Sequence, residues 1–285
     1  MATLKQIRAR IKTAKNIQQI TNAMKLVAAA RLRRATDRVF AARPYSTKLK
    51  EVMQSIASGG DLPEHPLMEK RAVGKACVIL ITAERGLAGS YNTNLIRATN
   101  DFIKNSEFEV ELLTVGKKGN GFFTRRGKKI VHTLSVPSSG ARLEDAEEVA
   151  RISRELFESG ECDAVYVCYA KFFSAIKQTA MMVQLLPIEP PVADKSKSQL
   201  TYEFEPDSAS LLGVLLPRYF QTLVWQAMLE STASEFGSRM TAMTSATDNA
   251  GKMIHTLTLR ANRERQAAIT TEILEVVSGA EALNG

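Results

Sequence analysis

Two segments at opposite ends of the chain, each built to be one uninterrupted helix, constrain the fold more than anything between them. Phe236, Met240, Met243, Thr247, Ala250, Ile254, Leu257 and Ala261 stand alternately four and three residues apart. This is the heptad spacing that winds helices into a left-handed supercoil. The helix carrying this seam opens at Glu205-Pro206-Asp207-Ser208, where Asp207 or Ser208 suits the cap position, and runs to about Ser278. At the other end, Thr3 to Ser58 holds no Gly and a single Pro, and is rich in Ala, Leu, Lys, Arg, Gln and Met, the strong helix formers. Leu4, Ile7, Ile11, Ala14, Ile17, Met24, Val27 or Ala28, Leu32, Ala35 and Val39 recur there at helical steps as a continuous apolar stripe. As a helix this arm extends roughly 80 Å, too far to pack within one small domain. Pro44 is expected to bend it without ending it.

Between the arms the pattern changes to short apolar runs alternating with amphipathic ones. Ala76–Thr82, Val110–Val115, Ile130–Leu134, Ala164–Tyr169 and Thr179–Leu185 read as strands, with helices near Asn92–Lys104, Gly119–Arg125 and Leu143–Ser159. Alternation of this kind predicts a mostly parallel sheet covered on both faces, in a Rossmann-like α/β domain. Pro187 to Ser198 reads as an irregular surface loop. The expected division is therefore 1–58 as an N-terminal coiled-coil helix, 59–207 as the α/β domain and 208–285 as a C-terminal coiled-coil helix. The domain is an insertion that brings both arms to one place, so the arms pair antiparallel. Because the second arm is longer, its end is a single helix. There Ala267-Ala268-Ile269, Ile273-Leu274 and Val276-Val277 give a surface that needs an apolar sleeve from other subunits. Ala, Thr and Gly251 occupy the seam where a dimerisation zipper prefers Leu, so a close-packed shaft is expected.

The net charge of +8 is unevenly placed. Residues 1–50 hold 13 Lys and Arg against Asp37 alone, a net of +12, which leaves −4 for the remainder. A basic arm calls for an acidic counterpart: a nucleic acid, an anionic membrane surface or an acidic protein face. The alternative function is a basic coiled-coil nucleic-acid-binding protein with Arg31, Arg33, Arg34 and Arg38 on phosphates. Aromatics are nearly absent from the arm and the apolar stripe runs through its basic stretch, which weigh against that class. No apolar run approaches the roughly 20 residues of a membrane span, and the N-terminus lacks a secretory pattern, so membrane association is expected only through partners. Cys77, Cys162 and Cys168 form no C-x-x-C pair and read as buried thiols in a reducing compartment.

Several chemistries are missing. No phosphate-loop motif is present, so the chain is not expected to hydrolyse ATP alone or to carry a cofactor. Gly86-Leu87-Ala88-Gly89-Ser90 follows a strand but lacks the third glycine of a dinucleotide fingerprint, and reads as a plain turn. His65, His132 and His255 stand far apart without metal-ligand spacing. Glu144, Asp145, Glu147 and Glu148 fall at a helix start and read as a solvated face suited to the dipole.

Three groups of residues carry a family resemblance. They are Ile20-Thr21-Asn22-Ala23-Met24-Lys25-Leu26-Val27-Ala28-Ala29 with Arg43-Pro44-Tyr45, Thr82-Ala83-Glu84-Arg85-Gly86-Leu87-Ala88-Gly89-Ser90-Tyr91-Asn92, and a C-terminal set. That set comprises Arg239-Met240-Thr241-Ala242-Met243, Ala246-Thr247-Asp248-Asn249-Ala250, Asn262-Arg263, Arg265-Gln266-Ala267-Ala268-Ile269-Thr270 and Ser278-Gly279-Ala280. Together they resemble the gamma chains of F-type ATP synthases, which usually have Asp where Glu84 stands. The resemblance implies a noncatalytic rotor subunit whose paired arms turn inside the ring of alpha and beta subunits. It also implies that Arg265, Gln266 and Thr270 meet the catch loops of the catalytic subunits. Met24, Lys25, Arg31, Arg33 and Arg34 would lie along the arm that passes their acidic loops, and Tyr202 and Glu203 near the foot, by the epsilon subunit and the proteolipid c-ring. The implied location is the cytoplasmic face of a bacterial cell membrane, or the matrix face of the mitochondrial inner membrane. The cysteine-bearing regulatory insertion of chloroplast members is lacking.

Overall fold

The computed structural model describes residues 3–58, 65–189 and 208–284. In chain order they form α1 (Leu4–Ser58), a short 3-10 turn (Pro66–Met68), β1 (Lys75–Ile81), α2 (Tyr91–Asn105), β2 (Glu109–Val115), α3 (Lys117–Thr124), β3 (Ile130–Leu134), α4 (Leu143–Glu158), β4 (Ala164–Phe172), β5 (Gln178–Leu186) and α5 (Ser208–Asn284). α1 continues through Pro44 and α5 through Pro217. No described helix is long and apolar enough to cross a membrane.

Grouped by contacts, the described residues divide within both terminal helices, at 27/28 and 239/240, and not at 58 and 208. The reason lies in the packing of unit 28–239. Its sheet has the order β3-β2-β1-β4-β5. The first four strands pair in parallel and β5 joins β4 antiparallel, a direction that the strand pattern alone does not reveal. One face is covered by α2 and α3, with Leu95 and Phe123 packed on Val78, Leu80 and Leu112. The other is covered by α4, by Leu49 and Met53 of α1, and by Leu212, Leu216, Phe220, Val224 and Met228 of α5. The C-terminal half of α1 and the N-terminal half of α5 are thus core elements of the α/β unit. Ala28, Leu32, Ala35, Val39, Ala42, Ser46, Leu49 and Met53 give α1 an unbroken heptad of buried and half-buried positions there.

The other unit, residues 1–27 and 240–285, pairs the two helix ends. The hydroxyls of Thr21 and Thr247 meet at 2.8 Å, and a Cβ on Gly251 would stand 3.0 Å from Nε2 of Gln18. As one number falls the other rises, so the pairing is antiparallel. Met243, Ala250 and Ala261 are buried on α5, and Ile7 and Ala14 on α1. The expected position of Ile17 in the stripe is corrected: it is 47% exposed, and the half-buried Gln18 takes its place. The heptad continues Leu4, Ile7, Ile11, Ala14, Gln18, Thr21, so a polar residue fills a seam position because the period requires it. The choice between Val27 and Ala28 likewise resolves, with Val27 exposed and Ala28 buried.

One further expectation changes, and one is met. The acidic run at the start of α4 is only partly a solvated face. Asp145 is buried and accepts a capping hydrogen bond from the Arg142 N–H at 2.8 Å, Glu147 accepts one from Gln221 Nε2 at 3.0 Å, and Glu148 lies 3.2 Å from His132 Nε2. The three thiols are free and buried, and burial pushes Cys162 up to about 12 and Cys168 up to about 11. That keeps them protonated and unreactive.

Candidate functional site

In a doubly wound sheet the ligand crevice opens at the carboxyl ends of the strands, where successive connections leave in opposite directions. Here that point lies between β1 and β4, since β1 leads outward through β2 to β3 and the chain then returns to β4 on the other side. The chain's own α5 fills it. The Ser231 hydroxyl accepts from the Ala170 N–H at 3.2 Å and lies 3.0 Å from the buried Tyr91 hydroxyl. Ser234 donates to the Ala170 carbonyl at 2.9 Å, and Ser238 donates to the Ala88 carbonyl at 2.7 Å. The strand ends that would otherwise receive a nucleotide are satisfied by a row of serines on one helix face. Leu87 has φ 61 and Gly89 φ 54, so the turn after β1 is tight and left-handed, and its carbonyls at 85, 86 and 88 point to α5.

Next to this row lies a cluster of charge and aromatic surface. Arg239 Nη1 lies 2.6 Å from Glu235 Oε1, and its Nη2 donates to the Gly86 carbonyl at 3.3 Å. Burial raises the Glu235 pKa, with the Arg239 and Arg31 charges opposing that shift. Arg31 Nη1 donates to the Ser138 carbonyl at 2.7 Å, and the Arg31 and Arg239 guanidinium carbons stand 5.8 and 5.9 Å from the Phe236 ring centroid. Arg31 is therefore engaged within its own unit, in a role that sequence spacing could not reveal because its partners are remote in sequence. Arg33 and Arg34 are exposed and form no ion pair among the described residues.

In the helix-pair unit, Met24 and Lys25 are half-buried on α1. Past Glu264 the antiparallel register has run out of α1, and every residue from Arg265 to Ala280 is exposed. Arg265, Gln266 and Thr270 lie at the start of this single-helix tip, with the Thr270 hydroxyl donating to the Gln266 carbonyl at 3.0 Å. Ile269, Ile273, Leu274, Val276 and Val277 stand bare on the same stretch, Val276 at 71% exposure. Ile17, Ile20, Leu26 and Val27 form a second exposed apolar set on α1, although helical spacing alone puts Ile17, and Val27 or Ala28, in the seam. Tyr202 and Glu203 lie outside the described residues.

A sequence model of the ATP synthase family matches residues 3–283. The chain is 49% identical over 288 residues to an ATP synthase gamma chain of Desulfitobacterium hafniense, covering 99% of this chain and all of that one. It is 46% identical over 282 residues to that of Brevibacillus brevis, covering 98% of both. Among solved structures it is similar in fold to a chain of the Euglena gracilis mitochondrial ATP synthase OSCP/F1/c-ring assembly, with a TM-score of 0.73, 18% identity, and coverage of 98% of this chain and 94% of that one. A chain of the Tetrahymena thermophila central stalk and c-ring gives a TM-score of 0.59 at 23% identity, covering 80% of this chain and 99% of that one. With a family match along almost its whole length and close to half of its residues shared with curated gamma chains, this chain belongs to the ATP synthase gamma chain family.

Proposed function

We propose that the chain is the rotating central-stalk subunit that couples proton flow through the membrane sector to ATP synthesis and hydrolysis on the beta subunits. A gamma chain is itself a noncatalytic subunit, and the serine-filled strand ends fit that role. The observation that carries the rotor reading is the bare apolar tip beyond Glu264, continuous with a close-packed antiparallel pair. Apolar surface of this extent on a lone helix is disfavoured in water and is stable inside an apolar sleeve. Such a contact has few directional bonds to break as the helix turns. In this reading Arg265, Gln266 and Thr270 meet the catch loops, and Met24, Lys25, Arg33 and Arg34 face acidic loops of the alpha and beta subunits, with Arg31 positioning the arm from within. Tyr202 and Glu203 belong to the foot, by the epsilon subunit and the c-ring. The complex would lie on the cytoplasmic face of a bacterial membrane, or on the matrix face of the mitochondrial inner membrane. Rotation would act by presenting a different face to each catalytic subunit, biasing each site's conformational equilibrium through differential contacts.

Reconstitution tests this. ATPase activity should appear with the alpha and beta subunits and not with the chain alone. The Arg265→Ala, Gln266→Ala double variant should impair assembly or proton-driven synthesis while the α/β unit stays folded. Unchanged synthesis in that variant would remove the assigned contact.

A further inference from the structure

The seam of the helix-pair unit changes character along its length. On α1 its buried and half-buried positions run Leu4, Ile7, Ile11 and Ala14, then Gln18 and Thr21. On α5 they include Met243, Thr247, Ala250, Gly251, Ile254, Leu257 and Ala261. The polar members face one another. The Thr21 and Thr247 hydroxyls stand 2.8 Å apart across the seam. Each also has an acceptor on its own helix, the Ile17 carbonyl at 2.9 Å for Thr21 and the Met243 carbonyl at 2.8 Å for Thr247. With one proton apiece, one hydroxyl donates across the seam and the other to its own helix, so both protons are used in this alignment. Nearly one turn away the Gln18 amide lies over Gly251, where a Cβ would stand 3.0 Å from Nε2. A long side chain on α1 thus meets a position on α5 that has none.

Apolar burial alone does not select this alignment. Both seams follow the heptad, so sliding one helix past the other by seven residues, roughly 10 Å, again brings seam positions together. In one direction Leu4, Ile7 and Ile11 would meet Leu257, Ile254 and Ala250, a match as apolar as the present one. What such a slip destroys is the polar layer. Gln18 and Thr21 would then lie against Met243 and Met240, or in the other direction against Leu257 and Ile254. The Gln18 amide would lose its notch, no hydroxyl would donate across the seam, and a polar group pressed on apolar surface without a partner is disfavoured.

We propose that Gln18, Thr21, Thr247 and Gly251 form a register key: this polar layer, and not the apolar seam, aligns the two helix ends. A polar residue at a seam position can fix coiled-coil register at some loss of stability. The key thereby positions Arg265, Gln266 and Thr270, since a slip of one heptad would displace them by that distance relative to α1. The inference concerns the chain by itself and does not rest on the central-stalk reading.

The test reads alignment and stability together on the full chain. Nitroxide labels on Lys5→Cys and Asp248→Cys, both exposed positions, are offset by roughly 22 Å along the helix axes in the present register. The native thiols are buried, and dilution with unlabelled chain confines double electron–electron resonance to pairs within one molecule. The parent sequence should give a single distance. Gln18→Leu, Thr21→Val, Thr247→Val should add a second distance, shifted by roughly 8 Å or more, in about a tenth of the molecules or more, while melting no earlier than the parent. Thr21→Ser, Thr247→Ser keeps the hydroxyls and loses the methyls, so it should melt earlier and keep the single distance. If the triple variant fails to fold, Thr21→Val, Thr247→Val is read in the same way. A single unshifted distance in the apolar variant overturns the proposal whatever its melting temperature. A second distance in the serine variant also overturns it, because register would then follow from methyl packing.

Discussion

Gly116 shows how narrowly one residue can be determined. Its φ is 88 and its ψ 147, a region that is nearly closed to side chains, and a Cβ there would stand 2.2 Å from the Thr82 carbonyl oxygen. Gly127 also has a positive φ, 65, but nothing lies within 4 Å of an added Cβ. Gly116→Ala should therefore cost about 3 kcal/mol or more, from strain and overlap together, and Gly127→Ala only about 1 kcal/mol. Urea unfolding of the full chain separates the two, and equal costs would mean that the overlap is relieved by backbone movement. Glu111 makes a different prediction. It is buried, lies 3.1 Å from Lys75 Nζ and is also paired to Lys129. Burial works to raise its pKa, but the two ammoniums outweigh that and hold the carboxyl below the usual carboxylate range. A group depressed in the fold contributes stability that is present above its unfolded pKa and is lost as pH falls through its folded pKa. Glu111→Gln should flatten the acid limb of the stability profile without altering its shape near neutrality. An acid limb as steep as before would assign that loss to other carboxylates.

At the scale of elements, periodicity made most of this protein legible and direction did not. The strands and helices of the α/β unit lie within a few residues of where apolar runs placed them, and the α5 seam is buried or half-buried at all the positions from Phe236 to Ala261 that the heptad marks. Ile17 misled because hydrophobicity and register disagree there: the α1 heptad passes through Gln18 and Thr21, and Gly251 opposite makes room for the longer side chain. The antiparallel β5, the serine row filling the strand ends and the Arg31–Phe236–Arg239 stack depend on residues far apart in sequence, and no local pattern carries them. The exposed tip was visible because it follows from arm length alone. The continuity of α5 can be tested at Ala250, which is buried in the seam. Ala250→Pro removes a helix hydrogen bond and clashes with the preceding turn, a cost of about 3 kcal/mol or more. Circular dichroism should show lost helicity and an earlier melting step, with the sheet unit still folding. Melting that is unaffected would mean that the helix is already interrupted there.

For the whole molecule, the proposed central-stalk role sets the helix tip's stability in isolation against its function in a complex. From Arg265 to Asn284 α5 runs 20 residues, about 30 Å of helix, and Ile269, Ile273, Leu274, Val276 and Val277 are all exposed along it. A chain selected to live alone would not keep that surface, since exposed apolar stretches drive association. Replacing Ile273, Leu274 and Val277 by Gln keeps helix propensity, because Gln is a strong helix former, and removes the apolar face. The isolated variant should stay monomeric at concentrations where the parent chain scatters light. The same variant should assemble less well with alpha and beta subunits, because each Gln must leave water to enter an apolar sleeve without a hydrogen-bonding partner. Solubility and assembly should therefore change in opposite directions. If both improve, or if assembly is indifferent, the tip does not sit in an apolar bearing, and the contacts that join the chain to its complex must lie elsewhere, with the paired segment the next to test.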